Sequence, residues 1–148
     1  MAKGCGGSLG KDFMLCELSG SEQVSLLASD SGWAWPLATK QIFEPRGVNL
    51  LLAGNIGEFV VVLEGRRIHA AIVDLDSQSG GLAAIRVIKS IKPALPCLIL
   101  KSSPDEDLLE KALELDVFSV IGKPVALEIL QRQLDRLFIK MYNSSLFA

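Results

Sequence analysis

Short apolar runs alternate with amphipathic segments from residue 24 almost to the end of the chain, a pattern that predicts a parallel β-sheet flanked by helices. The runs are nearly continuous, which is typical of strands buried on both faces. Residues 59–63 are rich in valine, but we predict a helix there because it completes a right-handed crossover between two parallel strands. The predicted strands cover residues 24–28, 48–53, 69–73, 97–100 and 117–121.

The segments between the predicted strands carry the spacing and the end signals of helices. Asn55 and Glu58 can open one helix. Ser103 is the expected N-cap of another, with Pro104 and Glu106 in its first turn. Two further stretches have an apolar stripe at helical spacing. The stripes consist of Leu82, Ile85, Ile88 and Ile91, and of Leu127, Leu130, Leu134, Leu137 and Met141.

These elements predict an α/β fold, a doubly wound five-stranded parallel sheet with helices on both faces. A chain of 148 residues suits one domain, because domains have about 100 to 200 residues. We divide it into a flexible, Gly- and Ser-rich N-terminal arm at residues 1–22, a folded domain at 23–141 and a C-terminal tail at 142–148.

Composition removes several classes of protein. The net charge is −2 and there is no block of Lys and Arg, which argues against direct binding of nucleic acid or of a membrane surface. The apolar runs are far shorter than the roughly 18 residues of a membrane span, and no signal-peptide pattern begins the chain. We therefore expect a cytoplasmic protein.

Cysteine and histidine are too sparse for a disulfide framework or a zinc site. The chain has three cysteines without paired spacing and one histidine. Cys97 lies within an apolar strand and should be an inert buried thiol. His69 begins a strand and is expected at the surface or at an edge.

Polar residues follow the predicted strands at the points where they end. In open α/β sheets, ligand sites lie beyond the carboxyl ends of the strands. Carboxylates and amines at these positions predict a charged pocket. They are Asp30 after the first strand, Asp74 and Asp76 after the third, Lys101 with Ser102 after the fourth, and Lys123 after the fifth.

With these residues, the chain resembles the receiver domain of bacterial two-component response regulators over about residues 24–139. Residues 72–74, Ile-Val-Asp, look like the family's phosphoacceptor site, and residues 121–124, Ile-Gly-Lys-Pro, look like its Lys-Pro turn. Residues 112–117 are similar to the family's approach to the fifth strand. The resemblance implies a flavodoxin-like receiver fold with strand order 2-1-3-4-5.

The resemblance also implies a chemistry for the pocket. Phosphoryl transfer to a carboxylate needs an ionised nucleophile, a divalent cation and a fixed cation. By analogy with the family, Asp74 would be the phosphoacceptor and Lys123 the fixed cation. Asp30 and Asp74 would bind Mg²⁺ through carboxylates, and Asp76 through its backbone carbonyl. The other pocket residues would be Ser31, Lys101 and Ser102.

Departures from the family pattern indicate a partly dismantled switch. The family has two adjacent acids after the first strand, whereas residues 29–31, Ser-Asp-Ser, provide one. Lys101 stands at the usual Ser/Thr position, and Val120 at the usual aromatic position. Because Lys101 can pair with Asp74 or Asp30, we expect weak Mg²⁺ binding. The alternative is an inert ion-pair network, formed by Asp30, Asp74, Lys101 and Lys123.

Two functions follow, and neither is enzymatic. The first is a receiver domain that accepts a phosphoryl group on Asp74 from a sensor histidine kinase or a phosphotransfer protein. The second is a pseudo-receiver, a protein-interaction module that works without phosphorylation. In the family, a hydroxyl at the fourth-strand end and an aromatic in the fifth strand couple the pocket to a partner surface. That surface would bind a downstream protein or a second copy, and comprises roughly residues 104–115, 117–121 and 126–139.

Two further questions concern the class of the protein and the extent of the chain. A flavodoxin-like binder of a small ligand is a distant third function, because no phosphate-binding loop follows the first strand. The sequence leaves open whether the chain is a stand-alone receiver or part of a longer regulator.

Overall fold

The computed structural model describes residues 23–30, 35–77 and 80–148, so the predicted N-terminal arm lies outside the described residues. A five-stranded parallel sheet has the spatial order β2-β1-β3-β4-β5, which confirms the predicted fold class and strand order. The observed strands lie within two residues of the predicted ones. They are β1 (Ser25–Ser29), β2 (Asn49–Ala53), β3 (Ala70–Asp74), β4 (Cys97–Ser102) and β5 (Ser119–Lys123).

Within these described ranges, five helical segments connect and cover the strands. The first, α1, comprises residues 35–46 and passes from an α-helical turn through a π-helical stretch to a 3₁₀ turn. It ends at Gly47, which has a φ of 70° in the left-handed region that glycine tolerates. The others are α2 (Ile56–Gly65), α3 (Gly81–Ile91), α4 (Glu106–Glu114) and α5 (Leu127–Tyr142).

One predicted N-cap, Asn55, is confirmed, and another, Ser103, is not. The Asn55 side chain accepts from the Glu58 backbone N–H and opens α2, so the helix predicted over residues 59–63 is confirmed. The predicted N-cap at Ser103 is wrong, because Asp105 accepts from the Leu108 N–H at 2.9 Å and α4 begins after it. A carboxylate is favoured at this position, since it meets the positive end of the helix dipole.

The core has two layers, one on each face of the sheet. Successive strand residues point to opposite faces, so Leu26 and Ile72 pack with α1 and α5 in one layer. Leu27 and Val73 pack with α2, α3 and α4 in the other. This alternation explains why the strands are nearly continuous apolar runs. Because all the strands are parallel, the carboxyl ends of β1, β3, β4 and β5 lie along the same edge of the sheet.

His69 and Cys97, for which the sequence predicts no functional role, are both buried. His69 is inside, so its expected surface position is wrong; β3 is the central strand, and its beginning is covered by the end of α5. Its Nδ1 accepts from the Ser25 N–H at 3.2 Å, and the Tyr142 hydroxyl donates to its carbonyl at 2.6 Å. Cys97 is buried as predicted, and burial raises the pKa of its thiol to about 11.

The residues after α5 fold back onto the domain. Phe147 is 1% exposed, and its ring lies 5.0 Å from that of Phe138 and 6.2 Å from that of Phe43. Gln131 donates to the Phe147 carbonyl at 3.1 Å. This segment therefore belongs to the α1–α5 layer of the core. Throughout the described ranges, no helix combines the length and the apolar character needed to cross a membrane.

Candidate functional site

Charged side chains from three adjacent strands meet at the carboxyl edge of the sheet. Asp74 is the last residue of β3 and Lys123 the last of β5. In the ladder, Asp74 is paired with Leu100, so β4 continues beyond it and carries Lys101 and Ser102 further out. Of the residues predicted for the pocket, the structure brings together Asp74, Asp76, Lys101, Ser102 and Lys123.

Asp74 is a buried carboxylate with both oxygens engaged. Its side chain is 1% exposed. Oδ2 accepts from Lys123 Nζ at 2.6 Å, and Oδ1 accepts from the Asp76 backbone N–H at 2.9 Å. A charge removed from water needs such partners, since an unpaired buried carboxylate is strongly disfavoured. Asp74 and Lys123 therefore form a tight, largely desolvated pair.

The Asp76 carboxylate is surrounded by polar groups from the ends of β4 and β5. Oδ1 accepts from Lys101 Nζ at 2.8 Å, while Oδ2 accepts from the Ser102 N–H at 2.8 Å and the Ser102 hydroxyl at 2.9 Å. Lys123 Nζ lies 3.4 Å from Oδ2. The Lys101 ammonium, with the other donors, holds the pKa of Asp76 well below its usual range. We call Asp74, Asp76, Lys101 and Lys123 the Asp–Lys quartet.

Lys101 pairs with a different partner from the ones expected. The sequence predicted Asp74 or Asp30, whereas the structure shows Asp76. The reason is the register, since Lys101 lies beyond the level of Asp74 and faces the turn that follows β3. Hydrogen bonding to Asp76 is the main reason that the pKa of Lys101 is raised.

Asp30 stands apart from the quartet. Its side chain is exposed, and its backbone N–H donates to the Ala53 carbonyl at 2.7 Å. Among the residues that the structure describes, no ion pair joins its carboxylate to Lys101 or Lys123, whose partners are Asp74 and Asp76. The ion-pair network considered from the sequence therefore contains Asp76 in place of Asp30. Ser31 lies outside the described residues.

Two serines that are not among the predicted pocket residues support Asp74. The buried Ser29 hydroxyl accepts from the Asp74 N–H at 2.9 Å, and the Ser77 hydroxyl donates to the Asp74 carbonyl at 2.9 Å. Ser29 ends β1 and is its first polar residue after an apolar run, a signal that could have marked it. Ser77 carries no comparable signal, because its role depends on the shape of the turn.

The donor set does not fit Mg²⁺ in this arrangement. Mg²⁺ needs oxygen ligands, and the carboxylates of Asp74 and Asp76 already accept five hydrogen bonds between them, two of these on Asp76 Oδ2, which leaves few lone pairs for a metal. Two like charges 4 Å apart repel by about 4 kcal/mol at an effective dielectric of 20, so a purely acidic pocket attracts a cation. Here two ammonium groups already balance two carboxylates. Within the described ranges, no three acidic, histidine or cysteine side chains are grouped to hold a metal.

Comparisons with known proteins identify relatives by structure only. No protein-family model matches the chain, and no curated protein matches it significantly. A CheY-like receiver domain protein from Methanospirillum hungatei JF-1 is 19% identical with a TM-score of 0.72, and the match covers 82% of this chain and 98% of that one. A response regulator from Thermotoga maritima is 24% identical, with a TM-score of 0.68 and coverage of 82% and 99%.

A third similar structure is the chemotaxis response regulator CheY4 of Vibrio cholerae, which is 16% identical with a TM-score of 0.67. The match covers 78% of this chain and 98% of that one. In all three cases, nearly the whole of the known domain is matched. Together with the observed strand order, these matches show that the chain has the fold of the CheY-like response-regulator receiver domains.

Proposed function

We propose that this chain is a pseudo-receiver, a protein-interaction module that keeps the receiver fold and works without phosphorylation or catalytic turnover. The observation that supports this is the Asp–Lys quartet, in which two carboxylates and two ammonium groups satisfy one another. A receiver pocket that uses Mg²⁺ needs an excess of acid. We expect the protein to act in the cytoplasm.

The position of Asp74 supports the same conclusion. Its side chain is almost completely buried and is held by Lys123 and by the turn after β3. A phosphodonor would first have to gain access to this buried carboxylate. The pocket therefore favours a single resting arrangement.

The surface that would contact a partner is formed by α4, β5 and α5, and we call it the α4–β5–α5 surface. Helix α4 buries Leu108 and Ala112, yet Leu113 is 79% exposed and Leu109 is also exposed. Leu109 and Leu113 are one helical turn apart, so together they form a small exposed apolar patch on α4. The α4 charges are mainly acidic, whereas α5 carries Arg132, Arg136 and Lys140, so a second copy or a partner with the same mixture of charges would fit.

A second candidate is an active receiver that accepts a phosphoryl group on Asp74 from a sensor histidine kinase or a phosphotransfer protein. One observation favours it: Asp74 ends the central strand with Lys123 Nζ at 2.6 Å, where a fixed cation would stabilise the incoming oxygens. Mg²⁺ binding would then be weak, because the Lys101 and Lys123 ammonium groups at this edge repel a divalent cation.

Treatment with acetyl phosphate and Mg²⁺, followed by intact mass measurement, separates the two candidates. The pseudo-receiver should gain no phosphoryl group, while a phosphorylatable response regulator treated in parallel should. Addition of one group that is lost in Asp74→Asn would contradict the proposal and support the active receiver. Asp107→Asn, which alters an exposed acid of α4, is the matched control and should not change the result.

A further inference from the structure

We infer that the Lys101 ammonium is the resident cation of the pocket: it occupies the Asp76 carboxylate, excludes divalent metals and ties the end of β4 to the turn after β3. This inference rests on the proposed function and deepens it, because it names the group that keeps the site in one state. It assigns Lys101 a positioning role that differs from that of Lys123, which pairs with Asp74.

The geometry shows how one carboxylate joins the three strand ends. Asp76 lies in the turn after β3 and receives Lys101 Nζ, the Ser102 N–H and the Ser102 hydroxyl from the end of β4. Lys123 at the end of β5 approaches the same carboxylate at 3.4 Å. A bound metal could join these ends through its ligands, but here the protein does so with its own hydrogen bonds.

Competition also favours the lysine over a metal. A divalent ion at Asp76 would have to displace an ammonium group held at 2.8 Å and then remain beside Lys123. The lysine is attached to the chain, so its effective concentration at the carboxylate is high and does not depend on the medium. Charge-assisted hydrogen bonds of this length are among the stronger polar contacts in proteins.

Titration with Mn²⁺ tests the inference, with paramagnetic broadening of the amide signals of residues 74–77 as the measurement. Lys101→Met removes the charge and keeps the length of the side chain, and this variant should bind Mn²⁺ at least tenfold more tightly than the wild type. Lys111→Met, at an exposed lysine of α4, should behave as the wild type. Equal Mn²⁺ affinity of the wild type and Lys101→Met would overturn the inference.

A measurement on the wild type covers the case in which Lys101→Met does not fold. The thermal midpoint of the wild type should be the same in excess EDTA and in millimolar Mg²⁺, because the site has no place for the metal. A midpoint raised by Mg²⁺ would overturn the inference. Lys101→Thr, with a β-branched side chain suited to a strand, repeats the Mn²⁺ titration with the same expected gain.

The inference and the proposed function can fail separately. If Mn²⁺ binds the wild type tightly but acetyl phosphate adds nothing to Asp74, the role of Lys101 is wrong and the pseudo-receiver stands. The opposite outcome is also distinct. If Lys101→Met binds Mn²⁺ at least tenfold more tightly than the wild type and Asp74 is nevertheless phosphorylated, the role assigned to Lys101 is supported. The pseudo-receiver function is then wrong.

Discussion

A single carboxylate, that of Asp76, accepts hydrogen bonds from three groups of β4 and lies close to Lys123 of β5. The receiver resemblance implied only a role for its backbone carbonyl. Residue spacing located Asp76 just beyond a strand end, and this position is correct. The direction of its side chain could not be predicted, since it depends on the turn after β3 and on how far β4 extends.

Replacing Asp76 by Asn should lower stability in a way that depends on pH. The pKa of Asp76 is lower in the folded protein than its unfolded value of about 3.9, so its ionised form stabilises the fold fully above that value. This contribution is lost as the pH falls below about 4 towards the lowered folded pKa. The difference in thermal midpoint between wild type and Asp76→Asn should therefore be largest near neutral pH and shrink in acid.

The matched control for this measurement is Glu110→Gln, which alters an exposed acid of α4 away from the quartet. Its midpoint should stay close to that of the wild type at every pH. A difference between wild type and Asp76→Asn that is constant down to pH 2 would show that the ionised carboxylate does not stabilise the fold.

Among the elements, those that bury a continuous or periodic apolar pattern were predicted, and those that depend on distant partners were not. All five strands were predicted from local patterns, and the helix over residues 59–63 was predicted from the crossover that it completes between two parallel strands. The π-helical stretch of α1 and the inward fold of Phe147 were missed. Phe43 ends the π-helical stretch, and its fully buried ring lies 6.2 Å from that of Phe147. No local spacing encodes that contact.

Truncating Phe147 should show that the segment after α5 is part of the core. Phe147→Ala removes a ring that is 1% exposed, and full burial of such a side chain contributes about 2 to 3 kcal/mol. We therefore expect a loss of about that size in the free energy of unfolding measured in urea. Ser145→Ala, at an exposed position of the same segment, should cost little. Equal stability of the two variants would mean that the segment does not stabilise the domain.

Across the whole molecule, the question is whether the pocket communicates with the α4–β5–α5 surface. In the family, a hydroxyl at the end of the fourth strand moves towards the phosphoryl group and an aromatic of the fifth strand follows. Here Lys101 is bound to Asp76, and Val120 is a small, partly buried residue paired with Ile99 in the sheet. Neither group can make the family's movement in its usual form.

Beryllofluoride with Mg²⁺, which mimics a phosphoryl group on an aspartate, should therefore leave this surface unchanged. A ligand shifts a conformational equilibrium only by its differential affinity for the two states, and the Asp–Lys quartet favours one state. Amide signals of Leu113 and Val120 should not move, and self-association measured by sedimentation should change less than tenfold. Leu113→Glu should weaken self-association if this surface is the one used. Val61→Glu, at an exposed position of α2, is the matched control and should not. A tenfold change on adding beryllofluoride would correspond to about 1.4 kcal/mol of coupling, which is enough to restore an ordinary phosphorylation switch.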